Sequence, residues 1–113
     1  NDTRADLIES IKLTSLRLRI HSPSDGSFNF LKSITIYIDA EDLDEIEIAS
    51  LSDIPDDDFT SLSLDTNDNE LKEYIKKDSY SLRVETVTDQ TISEDYVIKA
   101  DSRFRVDAEV LGI

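Results

Sequence analysis

Between Ser33 and Leu51 apolar and polar positions alternate with little interruption. Ile34, Ile36 and Ile38 are separated by Thr35 and Tyr37, and Ile46 and Ile48 are flanked by Glu45 and Glu47. A period of two in β-branched residues predicts strands with one buried face, and the short acidic connection between the runs predicts an antiparallel pair. The same period recurs elsewhere. Ile11, Leu13, Leu16, Leu18 and Ile20 change parity between Leu13 and Leu16, which predicts a bulge, a bend or two short strands. Lys12, Arg17 and Arg19 fall on the outward parity, and Arg17 and Arg19 would face Glu45 and Glu47 if this strand lay beside the acidic hairpin.

Phe28, Phe30 and Leu31 follow the turn-forming stretch from His21 to Ser27 and are expected to plug one end of the core. A strand from Phe59 to Leu64 would turn Leu62 and Leu64 inward. Tyr80, Leu82 and Val84 form one inward row, and Tyr96, Ile98 and Ala100 another. Asp101-Ser102 reads as a turn before the last strand, whose inward row is Phe104, Val106, Ala108 and Val110 and whose outward row is Arg103, Arg105, Asp107 and Glu109. One helical stripe interrupts the strands. Leu71, Tyr74 and Ile75 stand at i, i+3 and i+4, predicting a short crossover helix near 69–77 with Asp68 or Asn69 as N-cap and Lys76 and Lys77 at its end. About seven strands at these spacings predict an all-β fold, a two-sheet antiparallel β-sandwich. Residues 1–10 read as a tether remnant and residues 11–113 as the domain.

A chain of 113 residues can bury roughly 65% of the surface of its unfolded form, so this core needs no metal or disulfide to hold it. Cysteine is absent, which excludes thiolate chemistry and zinc ribbons. No apolar run approaches the ~20 residues of a membrane-spanning helix. The first residue is Asn1 and there is no methionine, which suggests a processed product.

Charge changes the picture more. The net charge is −14, and the stretch from Ser33 to Leu71 holds 13 of the 26 acids and no Lys or Arg. Such a field repels nucleic acid and anionic lipid and favours cations, basic partners or simple solubility. Glu45 and Glu47 would also oppose self-pairing if their hairpin lay at an edge, which predicts a monomer.

Catalytic groupings are missing. His21 is the sole histidine and sits in turn chemistry, there is no Gly-x-Ser-x-Gly elbow, and Gly26 and Gly112 are the only glycines. With no Trp, and with most Tyr and Phe on core parity, a sugar platform for a carboxylate-based hydrolase is hard to build. No catalytic, cofactor-binding or metal-ligating residue is assigned, and a non-enzymatic module is expected.

Calcium is the one cofactor the pattern raises. The loops Asp39 to Glu45, Asp53 to Asp58 and Asp65 to Glu70 offer the oxygen ligands that hard cations need. Asp65-Thr66-Asn67-Asp68-Asn69 resembles the Asp-x-Asn-Asp-Asn calcium segment of cadherins, which implies a calcium-stabilised adhesion-like domain. Helix capping by Asp68 or Asn69 is the competing use of the same residues.

Over most of residues 11–113 the chain resembles small envelope lipoproteins of Bacteroidetes-type bacteria. The resemblance is carried by the stretches beginning at Phe28, Leu71, Leu82 and Val106. It implies an immunoglobulin-like sandwich, exported to the outer membrane, periplasm or cell surface. It also implies release from a lipid-carrying cysteine upstream of Asn1; the partner expected of such a module is a protein or glycan of unknown identity.

Overall fold

A computed structural model describes residues 7–92 and 94–108. Residues 1–6 of the tether expected over 1–10, and Glu109 and Val110 at the end of the last strand, lie outside them, while Ile8 to Ser10 belong to the first strand. Six strands form one antiparallel sheet: β1 (Ile8–Ser22), β2 (Leu31–Asp39), β3 (Ile46–Leu51), β4 (Ser61–Thr66), β5 (Ser81–Thr88) and β6 (Val97–Ala108), in the order β5-β2-β3-β4-β1-β6. The one described helix, α1, is Lys72–Ile75. The sheet curls into a half-barrel with the core on its concave side.

The alternation of the β2–β3 pair becomes an antiparallel ladder from Ile34↔Leu51 to Ile38↔Ile46, with a shift between Ile36 and Tyr37. That shift places both Ile48 and Ala49 among the buried residues, a break of period that bulges produce. β3 and β4 are joined only at Ala49↔Thr66 and Ser50↔Asp65. On either side of this narrow joint stand two wings of three strands. Ile34, Ile36, Ile38 and Ile48 of one wing and Leu13, Leu16, Leu18, Leu62 and Leu64 of the other belong to a single apolar cluster. Phe28, Phe30 and Leu31 close one end of it, as expected, at 1%, 7% and 3% exposure.

Several expectations change. The parity break in the first strand is a bulge within one long strand, since β1 is continuous and its register to β6 shifts between Leu13 and Ser15. Asp101-Ser102 is not a turn. β6 runs straight through it, with Asp101 opposite Arg17 and Ser102 opposite Leu16. The alternation of Ile98, Ala100, Ser102, Phe104 and Val106 is in fact unbroken, and the long β1 gives it a continuous template. Merging these segments leaves six strands where about seven are expected.

The acidic hairpin is central, not an edge, because β5 pairs with β2 and β4 joins β3. Nor do Arg17 and Arg19 face Glu45 and Glu47. Arg17 donates to Ser61 Oγ at 3.2 Å, and Arg19 pairs with Asp101 at 2.8 Å.

The helix is shorter than its stripe. Leu71 occupies the N-cap position without a side-chain cap, and neither Asp68 nor Asn69 caps it. Glu70 does that work instead. Its carboxylate accepts from the Lys72 amide at 3.0 Å, the Ile11 amide at 2.7 Å and the Ser10 hydroxyl at 2.7 Å, and the Leu71 amide donates to the Ile11 carbonyl at 2.9 Å. α1 is therefore sewn to the start of β1. Leu71, 1% exposed, and Tyr74, 8% exposed, are driven into the core.

Candidate functional site

The two ends of the sheet order, β5 and β6, each have a neighbour on one side only. Sequence pattern places Tyr80, just before β5, Leu82 and Val84 of β5, and Ile98, Phe104 and Val106 of β6 on inward parity. The concave face does receive them, but they are not buried. Leu82 is 56% exposed and Phe104 44%, whereas Ile38, directly opposite Leu82 in the ladder, is 1% exposed. Alternation reports which face a side chain occupies; burial needs a further layer across that face, and at both edges the described residues supply none.

Between these edges lies a trough of about 560 Å³. Its floor is the shared core, including Ile36, Ile38 and Leu16, and its walls are Tyr80, Leu82, Val84 and Thr86 on one side and Ile98, Ala100, Ser102 and Phe104 on the other. The lining holds no ionisable side chain other than the Tyr80 phenol. An apolar concavity of this size is a common form of binding site.

The outer faces carry the charge, and they differ. On the β5–β2 side, Arg83 reaches Glu45 at 2.6 Å and Glu85 at 2.7 Å, and its guanidinium stacks 4.3 Å from the centre of the Tyr37 ring. Tyr37 donates its hydroxyl to Glu85 at 3.0 Å, which raises the phenol's pKa. The Arg83 hydrogen bonds hold Glu45 and Glu85 below the usual carboxylate range. Among the described residues, the outward rows of the β1–β6 side carry Lys12, Arg17, Arg19, Lys99, Arg103 and Arg105 with Asp101 and Asp107, and the exposed Glu9 lies at the β1 register shift. Asp101 is held low by Arg19, and Arg105 contacts Asp107 at 3.5 Å. In a protein with a net charge of −14, the described residues thus form a basic flank next to the trough. No single stretch of sequence contains it, because it is assembled from β1 and β6.

The three acidic loops do not converge. Among the described residues there is no group of three or more His, Asp or Glu side chains that could hold a metal ion. In the cadherin-like segment, the side-chain amides of Asn67 and Asn69 both donate to the Glu47 carbonyl at 2.8 Å, and Asn67 Oδ1 accepts from the Asn69 amide at 3.2 Å. Asp65 sits in the β3–β4 joint. Loop 39–45 is closed by the Leu43 amide on the Ala40 carbonyl, with Asp42 in the left-handed region. In loop 53–58, Asp58 accepts from Asn29 Nδ2 at 3.2 Å. These groups serve turns and strand ends. His21 is exposed at the end of β1. Among the described residues no helix is long and apolar enough to cross a membrane.

Among the described residues, an open antiparallel half-barrel with an apolar trough between the two edge strands is therefore the class the geometry defines. No family model, no curated protein and no solved structure matches the chain.

Proposed function

We propose that this protein is a non-enzymatic binding or structural module of the bacterial cell envelope and that the trough is its ligand surface. The observation that carries the reading is the row of half-exposed apolar side chains on both edge strands. A folded domain this small rarely leaves such a row facing water unless something covers it in use. The two wings are, in this reading, the two sheets of an immunoglobulin-like sandwich whose open side is closed by the ligand. Placement in the envelope, and a lipid anchor upstream of Asn1, rest on the resemblance of the chain to envelope lipoproteins.

Binding of an environment-sensitive apolar dye tests the ligand surface. Dye emission should rise on the wild type and fall at least severalfold on Ser102→Trp, which fills the trough from β6. Equal emission from both would remove the trough as the site. Fractionation of the producing cells, with the protein in the envelope fraction, tests the placement; recovery in the cytosol would contradict it.

A further inference from the structure

We infer that the trough accepts one extended segment of another protein chain, inserted as a seventh strand between β5 and β6, with large apolar residues facing in and acidic residues among those facing out. The inference rests on the trough being the ligand surface and names what fills it.

Three observations favour a strand over a small apolar molecule. Both walls are strand edges, each carrying a row of backbone N–H and C=O groups without a ladder partner among the described residues. A hydrocarbon would cover the side chains and leave those groups unpaired, whereas an inserted strand has backbone groups to offer to the edges. The rungs also count correctly. Each wall offers four inward positions, Tyr80 to Thr86 and Ile98 to Phe104. With roughly 150 Å³ for the space one large apolar side chain leaves behind, the 560 Å³ holds about four such groups. Four inward residues at a period of two make a segment of about seven residues, one strand and not a hairpin. Finally, Ala100 and Ser102 are the smallest side chains of the lining, so the middle of the β6 wall can accept the bulkiest inward residues.

Charge selects the outward row. The inserted strand would lie beside β6, where Lys99 and Arg103 make no ion pair among the described residues. Acids placed across from them gain cross-strand pairing, and bases there would be repelled. Direction follows from topology as well. Neighbouring strands alternate in direction along the whole order, so β5 and β6 run oppositely. A single strand between them is antiparallel to one edge and parallel to the other. On this charge complementarity the occupant is assigned to another protein chain, and a second copy of this one is an outcome of the test.

The test uses the whole 113-residue chain and a panel of synthetic nonapeptides. One set alternates Val, Ile, Leu or Phe with Asp or Glu; a second replaces the acids with Lys; a third has the acidic compositions in scrambled order. Binding is read by fluorescence anisotropy, and backbone amide exchange is read by NMR. The expected result is that acidic alternating peptides bind at least tenfold more tightly than their basic counterparts and much more tightly than scrambled ones. On binding, edge amides of both β5 and β6 should become protected. Ser102→Trp should abolish binding, and Lys99→Glu with Arg103→Glu should reverse the charge preference.

Failure of every alternating peptide, while the apolar dye still binds, overturns the strand and leaves the trough as a small-molecule site. Failure of dye and peptides together overturns the trough itself. Concentration-dependent dimerisation that protects both edges without peptide would assign the trough to a second copy and overturn the inference.

Discussion

Ile38 and Leu82 face each other in the β2–β5 ladder and share the concave face, yet one is 1% exposed and the other 56%. Replacing each by Ala makes this contrast measurable. Ile38 is enclosed, so its truncation removes buried surface and leaves a cavity, a change that costs about 2–5 kcal/mol in other cores. Full burial of a Leu side chain is worth about 1.5–3 kcal/mol. Less than half of Leu82 is covered, and its site opens to water, so Leu82→Ala should cost about 1 kcal/mol. Both substitutions sacrifice β-propensity to a similar extent, so that contribution largely cancels in the difference. Urea unfolding at low micromolar concentration, followed by circular dichroism because the chain has no Trp, gives both values. A Leu82→Ala cost equal to that of Ile38→Ala would mean that β5 is covered in the free protein, and the open trough would be refuted.

Other consequences can be checked in the same way. Glu70 is held below the usual carboxylate range first by its hydrogen bond from the Ile11 amide, with the Ser10 and Lys72 contacts adding to it. A depressed folded-state pKa gives stability that is present above the unfolded value of about 4.3 and is lost as pH falls through the folded value. Glu70→Gln should therefore be less stable than wild type at pH 7 and converge on it under acid conditions; a constant gap down to pH 2 would contradict the clamp. Arg83→Gln should let Glu45 titrate closer to the ordinary carboxylate range in an NMR titration, and an unmoved Glu45 would show that the ion pair is not formed in solution. Tyr74→Phe removes a hydroxyl that donates to the Asp44 carbonyl and should cost about 0.5–1.5 kcal/mol in the same urea assay; no loss would remove that anchor. Because the acidic loops do not converge, calcium should raise the melting temperature no more than sodium chloride of equal ionic strength, and a clear excess would reopen the Asp65 to Glu70 loop as a site.

Much of the architecture can be read directly from the residues. The isoleucine alternation of β2, the parity break at the β1 bulge and the Leu71-Tyr74-Ile75 stripe each reflect a local period that the backbone follows. What eludes such reading depends on neighbours far along the chain. Asp101-Ser102 resembles a turn by composition, yet it lies opposite Arg17 and Leu16 in a ladder set by β1. Asn69 resembles a helix cap, but its amide is drawn to the Glu47 carbonyl and Glu70 takes its place. The trough was hidden for a related reason. Tyr80, Leu82 and Val84 have the same alternation as Ile34, Ile36 and Ile38, and only the strand order reveals that one row is covered and the other is not.

Amide hydrogen exchange of the free protein tests the open half-barrel most directly. Strong protection is expected across β1 and β2, and in β5 and β6 protection only of those alternate amides that bond inward to β2 and β1. The amides pointing into the gap should exchange at close to the rates of an exposed chain. Uniform protection of both edge strands in a protein shown to be monomeric would mean that the sheet closes on itself, and the account would be wrong.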